Sequence, residues 1–259
     1  MVAVRIDQSD GDARRADFVP TADASDTAGA SLTPAPNDGP TPSGADSDRQ
    51  ARVARAIEHH VTVDARYRAY AIDQAYEKVR DIERGTVTPA MKRIEAEDPE
   101  RHLAGLENSL KGKDRLAEKV ADYVKSSPEL SYDQACAKVK DAIRYTFVYS
   151  DNHYTEGVRA DTERLANRFE LIDLRNSWSA AEYKGINSRW RVPADGQLLE
   201  LQFHTQASLD AKEETHWAYE KLRAGVPTPT EQRELEDYQK RITARVPIPP
   251  GAQDIPDYP

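Results

Sequence analysis

Two alternating runs, residues 183–192 and 197–205, constrain this chain more than any other stretch. Pro193-Ala-Asp-Gly196 between them makes two β-strands and a tight turn the simplest reading. In the second run Leu199, Leu201, Phe203 and Thr205 share one face, and Glu200, Gln202 and His204 share the other. The first run alternates in step: Lys184, Ile186, Ser188, Trp190 and Val192 against Tyr183, Gly185, Asn187, Arg189 and Arg191. A four-residue loop, 193–196, pairs Val192 with Gln197. Counting back sets Trp190 opposite Leu199, Arg189 opposite Glu200, Asn187 opposite Gln202 and Ile186 opposite Phe203. One register therefore sorts both strands into an apolar and a polar face. The polar face carries a carboxylate, an imidazole, two amides, a phenol and guanidiniums, more chemistry than a solvated surface requires.

The formal net charge of -9 over 259 residues excludes a protein whose whole surface grips nucleic acid, and leaves room for a local basic cleft. The single cysteine, Cys136, excludes an internal disulfide framework and a cysteine-based zinc knuckle, and suits a reducing compartment. No apolar run approaches the roughly 20 residues that span a bilayer. Residues 1–12 turn acidic too soon for a secretory core. The expectation is a soluble intracellular protein with no membrane partner.

Residues 1–49 are rich in Asp, Ala, Ser, Thr, Pro and Gly, with Phe18 their one aromatic. Such a segment cannot bury enough apolar area to offset its chain entropy and reads as a disordered tail. Residues 50–107 read as a helical region. Ala54, Ile57, Val61, Ala65, Tyr67 and Ala71 recur at helical spacing, and a further helix over 72–84 stops before Gly85. Pro89 and Pro99 open short helices over 89–96 and 99–109. Helices follow over 116–124 and 131–139, the second capped by Ser131. Residues 141–149 alternate as a strand, 154–166 form a helix and 169–174 a short strand. Beyond the hairpin come helices over 208–223 and 230–244, the latter opened by Thr230-Glu-Gln-Arg233 rather than a full capping box. Residues 246–259, with Pro247-Ile-Pro-Pro-Gly251, should lie extended. The fold class is α+β, a mixed β-sheet flanked by helices over 108–245.

Cations cluster in Ser109-Leu-Lys111-Gly-Lys113-Asp-Arg115-Leu-Ala-Glu-Lys119. Lys111 and Lys113 fall at the positive end of a helix, and Arg115 and Lys119 share a face one turn apart, which suits a polyphosphate. The run equally fits a surface helix start balanced by Asp114 and Glu118. Asp141 heads one strand and Glu200 stands mid-strand in another, where glutamate has low propensity. Two converging carboxylates suit Mg²⁺; the alternative is an ordinary cross-strand pair of Glu200 with Arg189. Tyr183 can stack a purine base, with Gly185 letting the ring approach, and fits half-buried packing as well. His204 and His216 lack zinc-ligand spacing, and His216-Trp217 reads as helix packing. Together these are parts for metal-assisted phosphoryl chemistry on a nucleotide.

At these residues, over 108–223, the chain resembles the RelA/SpoT family of nucleotide pyrophosphokinases, the alarmone synthetases. The family's Arg-x-Lys-x-x-x-Ser-Ile-x-x-Lys segment looks like 109–119, and its Asp-containing strand ending in Arg looks like Val139-Lys-Asp141-Ala-Ile-Arg144. Its Tyr-x-Ser-x-His motif looks like Tyr183-Lys-Gly185-Ile-Asn187, and its Glu-x-Gln-x-Arg-Thr strand looks like Glu200-Leu-Gln202-Phe-His204-Thr205. Its His-Trp helix looks like Ala211-Lys-Glu-Glu-Thr-His216-Trp217-Ala-Tyr219-Glu-Lys221. Departures are Ser109 for Arg, Arg115 for Ser, Asn187 for His and His204 for Arg, in a style similar to actinobacterial nucleotide 3′-pyrophosphokinases and toxin-type small synthetases. With no His-Asp dipeptide, the expectation is a synthetase without the family's hydrolase module.

The resemblance implies Mg²⁺-dependent transfer of pyrophosphate from ATP to the 3′-hydroxyl of a purine nucleotide, in the cytoplasm of a bacterium. Delivery outside the cell without a classical signal peptide stays open. It implies that Lys111, Lys113, Arg115, Lys119 and Arg144 bind ATP, and that Asp141 and Glu200 hold the metal, with Glu200 as base. Tyr183, Asn187, Gln202 and His204 then bind the acceptor nucleotide. Two rivals remain. One moves the acceptor to the 3′ end of tRNA, with Arg175, Lys184, Arg189 and Arg191 as a basic track. The other is a catalytically inactive nucleotide-binding or partner-binding protein. Residues 50–107 are open to three readings: an inhibitory cap, the contact of a homo-oligomer, or packing.

Overall fold

The structure, a computed structural model, describes residues 44–225 and 227–258. The chain divides into two units, Met1–Ala54 and Arg55–Pro259. Of the tail expected over 1–49, residues 1–43 lie outside the described residues, and 44–49 are helical rather than disordered.

Helix α1 (Gly44–Ile82) does not stop before Gly85. It runs through a π-helical turn, Glu83–Val87, into α2 (Thr88–Ala96). A π turn inserts one residue and swings a side chain off the helical stripe. Here that side chain is Glu83, buried, whose Oε1 accepts hydrogen bonds from Ser109 Oγ and Tyr145 OH, both at 2.8 Å, and also from the Thr88 hydroxyl. The helix expected over 99–109 is a strand instead, β1 (Arg101–Ala104), followed by a 3₁₀ turn, Leu106–Asn108. Pro99 and Gly105 leave too few residues between them for a helix, and Arg101 is drawn inward. Its buried guanidinium meets Asp161 at 2.8 Å and Asp98 at 3.0 Å and lies over the Phe147 ring.

The remaining elements are α3 (Lys113–Ser126), α4 (Tyr132–Ala137), β2 (Ile143–Tyr149), α5 (Tyr154–Ala166), β3 (Glu170–Asn176), β4 (Ile186–Arg191), β5 (Leu198–Thr205), α6 (Gln206–Arg223) and α7 (Pro229–Thr243). Ser131 caps α4 in a capping box with Gln134, as its sequence indicates. Helix α7 is capped two residues earlier than the sequence reading had it: Thr228 and Glu231 form a full capping box with Pro229 at the first position.

The five strands form one mixed sheet in the order β1-β2-β5-β4-β3, with β2 and β5 parallel and the other pairs antiparallel. The hairpin register is the one its alternation specifies: Ile186 pairs with Phe203, Asn187 with Gln202, Arg189 with Glu200 and Trp190 with Leu199. Val192 donates to the Gln197 carbonyl at 2.9 Å. Parallel pairing of β2 extends the two faces, because Ile143, Arg144 and Tyr145 stand beside Leu199, Glu200 and Leu201. Ile143, Tyr145, Phe147, Leu199, Leu201, Phe203, Ile186 and Trp190 are all buried on the apolar face. Helix α5 packs there, its Tyr154 hydroxyl donating to the Phe203 carbonyl at 2.9 Å. Residues 246–258, expected to lie extended, instead turn at Pro250-Gly251, where Gly251 is left-handed with φ 71°, and again in a 3₁₀ turn, Ala252–Asp254, before Tyr258 bridges Leu174 to cover the outer edge of β3. Among the described residues no helix is long and apolar enough to cross a membrane.

Candidate active site

The polar face of β2, β5 and β4 is the floor of a cavity of about 970 Å³. Backbone hydrogen bonds bring the cation-rich segment to its edge. Leu110 bridges Ile143, Lys111 N donates to the Ala142 carbonyl at 2.9 Å, and Arg144 N donates to the Ser109 carbonyl at 2.8 Å. Lys111 thereby stands beside Asp141, which lies in the turn just ahead of β2 and not on the strand itself. Lys119, two turns into α3, reaches the same carboxylate.

Three cations hold Asp141: Lys119 at 2.7 Å, Lys111 at 3.0 Å and Arg144 at 3.1 Å. Burial pushes its carboxyl upward, but the hydrogen bonds from Lys119 and Lys111 outweigh that and hold it at about 2. Arg144 also bridges to Glu200, with Nη2 at 3.2 Å and Nε at 3.3 Å from Oε2. The two carboxylates thus share one guanidinium. The alternative partner for Glu200 is engaged elsewhere, since Arg189 pairs with Asp173 on β3. Gln202 Nε2 donates to Glu200 Oε1 at 2.5 Å, and Lys212 Nζ donates to Gln202 Oε1 at 2.7 Å. Burial, then the positive charge of Arg144, lowers the Lys212 ammonium from its ordinary value.

Lys111, Arg115, Lys119, Asp141, Arg144, Tyr183, Asn187, Glu200 and Gln202, nine of the residues chosen from sequence, line this cavity. Arg115 is at its exposed rim, paired with Glu118 at 3.1 Å. Lys113 and His204 do not line it. Lys113 is the first residue of α3 and pairs with Asp73 of α1 at 2.7 Å. His204 is fully buried between Tyr183 OH at 2.9 Å and Ser208 Oγ at 2.8 Å, so it holds the floor and does not meet the cavity. The Tyr183 hydroxyl donates to Asn187 Oδ1 at 2.9 Å, which leaves its lone pair for an Nε2 proton of His204. The two rings meet edge to face at 5.5 Å.

Sequence reasoning missed the wall made by α6. Lys212, His216, Tyr219 and Arg223 line the cavity, a stripe at helical spacing whose members all carry chemistry. That stripe was the available signal. The packing role expected for His216-Trp217 holds for Trp217 alone, whose half-exposed ring meets Tyr238 of α7 at 5.4 Å, while His216 is exposed to the cavity. Asp141 and Glu200 are the two carboxylates here that could hold a divalent cation, in exchange for their contacts with Lys111, Lys119 and Arg144. Among the described residues no group of three or more His, Cys, Asp or Glu side chains could hold a metal alone, so such a metal must borrow ligands from substrate and water.

His204 also gives a pH signature. Burial, then the charge of Lys212, lowers its imidazole to about 3 from 6.5. On acidification the unfolded chain takes this proton near 6.5 and the folded chain only near 3, so stability present above 6.5 is lost through that window. This group should cost about 2 kcal/mol between pH 7 and pH 5. Denaturant unfolding at both pH values checks it: the loss should be smaller in His204→Asn, and an equal loss would overturn the assignment.

No family model matches the chain, and no curated protein does. Among solved structures it is similar to small alarmone synthetase 1 from Bacillus subtilis bound to its product pppGpp, at 17% identity over 66% of this chain and 88% of that one, with a TM-score of 0.43. It is also similar to the Type VI effector Tas1 in complex with its immunity protein, at 16% identity over 68% and 95%, with a TM-score of 0.47. A third is a GTP pyrophosphokinase family protein from Streptococcus pneumoniae, at 16% identity over 73% and 88%, with a TM-score of 0.40.

Proposed function

We propose that this chain is a nucleotide pyrophosphokinase, which moves the β,γ-pyrophosphate of ATP to the 3′-hydroxyl of a purine nucleotide and releases AMP. The observation that carries the reading is the meeting of Asp141 and Glu200 on Arg144, inside a cavity edged by Lys111, Arg115 and Lys119. An array of carboxylates neutralised by flexible cations can exchange partners when a polyphosphate enters. Lys111, Lys119 and Arg144 then turn from Asp141 to phosphate oxygens. Asp141 and Glu200 would hold Mg²⁺, which would neutralise charge on the phosphates and orient them.

The acceptor's 3′-oxygen forms a bond to the β-phosphorus while the bond to the α,β-bridging oxygen breaks, and AMP leaves with that electron pair. Glu200 takes the hydroxyl proton. Its Oε1 accepts only from Gln202 and keeps a lone pair for that task, whereas Oε2 is covered twice by Arg144. Tyr183 stacks the acceptor base, and Asn187 and Gln202 meet its sugar or phosphates.

A free nucleotide is favoured over tRNA because three of the four residues of the candidate basic track are already engaged. Lys184 donates to the carbonyls of Trp178 at 2.8 Å and Ala180 at 2.6 Å, Arg189 pairs with Asp173, and Arg191 pairs with Glu170 at 2.8 Å. Incubation with ATP, Mg²⁺ and each of GDP, GTP, ADP, ATP or tRNA, followed by chromatography, tests the reading. AMP should appear together with a pyrophosphorylated nucleotide. Product only on tRNA would move the acceptor. A thermal shift with ATP but no AMP from any mixture would leave a binding protein.

A further inference from the structure

The wall of the cavity contributed by α6 carries an arrangement beyond those roles. Thr205 ends β5 and caps α6, its side chain accepting from Ser208 N while Ser208 Oγ accepts from Thr205 N at 3.0 Å. The chain therefore reverses, and α6 lies back along the polar face of the strand it has just left. Two strand residues advance roughly 6.6 Å and four helix residues roughly 6 Å, so the two repeats stay in step. Ser208 meets His204, and Lys212 meets Gln202. The next pair on this count is His216 and Glu200, and both line the cavity.

Within this ladder Gln202 stands between a group that can only donate and a group that can only accept. An ammonium has three donors and no acceptor; an ionised carboxylate has only acceptors. The amide therefore has one satisfied orientation, with Oε1 toward Lys212 at 2.7 Å and Nε2 toward Glu200 at 2.5 Å. Reversed, it would set oxygen against carboxylate and NH₂ against ammonium.

We propose that Lys212 is a positioning residue: by fixing the amide of Gln202 it aims a hydrogen bond at Oε1 of Glu200 and so sets the direction in which that carboxylate presents its remaining lone pair. The proposal rests on Glu200 being the base, and it adds a part to the site from α6. It differs from a phosphate contact by Lys212, which would act on substrate binding and not on Glu200.

The test uses the full chain with Lys212→Met, Lys212→Arg and Gln202→Glu. In ¹H–¹⁵N spectra of the ligand-free protein, the side-chain amide of Gln202, identified by its loss in Gln202→Glu, should be shifted downfield and slow to exchange. Lys212→Met should move it upfield and speed its exchange, and Lys212→Arg should retain most of the shift. In transfer assays Lys212→Met should lower kcat by roughly tenfold or more while KM for ATP and for acceptor moves less than about threefold, with recovery in Lys212→Arg. Unchanged Gln202 signals in Lys212→Met, or a rise in acceptor KM with kcat retained, would overturn the proposal. A wild-type chain that releases no AMP would sink the pyrophosphokinase reading alone, since the spectra still decide whether Lys212 orients Gln202.

Discussion

Glu200→Gln should leave the chain folded and cut AMP release from ATP by about 10²- to 10⁴-fold, the range that a positioned general base supplies. The substitution keeps volume and shape, so the neighbouring Leu199 and Leu201, both buried, need not move. What changes is the polar side. Every neighbour of this carboxylate is a donor: Arg144 twice on Oε2 and Gln202 on Oε1. An amide placed there must turn its NH₂ toward one of those donors, and it has no charge with which to take a proton. Arg144 keeps its contact with Asp141 at 3.1 Å, so the cationic edge that meets ATP should persist. Single-turnover assays should therefore show ATP bound but not consumed, while thermal melting stays within a few degrees of wild type. Near-normal AMP release from Glu200→Gln would show that the proton goes elsewhere.

The parts of this site that were legible in sequence are those that depend on local period. Alternation with a short Pro-Gly loop fixes the hairpin register, and the register alone places Glu200, Gln202 and Asn187 on one face. Spacing along α3 puts Lys119 where it can reach Asp141. The parts that were not legible depend on a partner distant in the chain. Arg101 forms a strand because Asp161, far along the chain on α5, receives its guanidinium, and Glu83 widens a helical turn because Ser109 and Tyr145 supply hydroxyls. Neither partner can be read from the residues beside them.

His204 shows a different limit. Strand parity correctly groups it with Glu200 and Gln202, yet parity assigns a face and says nothing about what covers it. Helix α6 begins two residues on and closes over His204 through Ser208, so of three side chains on one face, the one nearest the helix start is sealed. Its capping box uses Ser208 where Glu or Gln is the usual signature, which hides the turn-back from pattern reading. The same closure brings Lys212 to the floor. One cap therefore accounts both for the residue wrongly placed in the cavity and for the residue overlooked there.

The seal around His204 makes Gly185 the most sensitive backbone position of the floor. Its φ is +143°, a region that residues with a Cβ rarely adopt. A Cβ there would stand 2.8 Å from His204 Cε1, 3.0 Å from His204 Nδ1 and 3.1 Å from the Phe203 carbonyl oxygen. None of these can yield easily. The imidazole is held at both nitrogens by Tyr183 and Ser208, and the carbonyl is backbone of a central strand that also accepts from Tyr154. Gly185→Ala should therefore destabilise the chain by about 2–4 kcal/mol, combining dihedral strain with overpacking. For a unit of this size that lowers the melting temperature by roughly 5–15 °C. Gly85, in the π turn with open space around its Cβ position, serves as the control, and Gly85→Ala should change stability by less than about 1 kcal/mol. Because the displaced ring carries Tyr183 on its other nitrogen, Gly185→Ala assayed well below its melting point should lose transfer more than ATP binding. A Gly185→Ala chain that melts alongside Gly85→Ala would mean that His204 moves freely, and the fixed floor that holds Tyr183 and Asn187 would have to be abandoned.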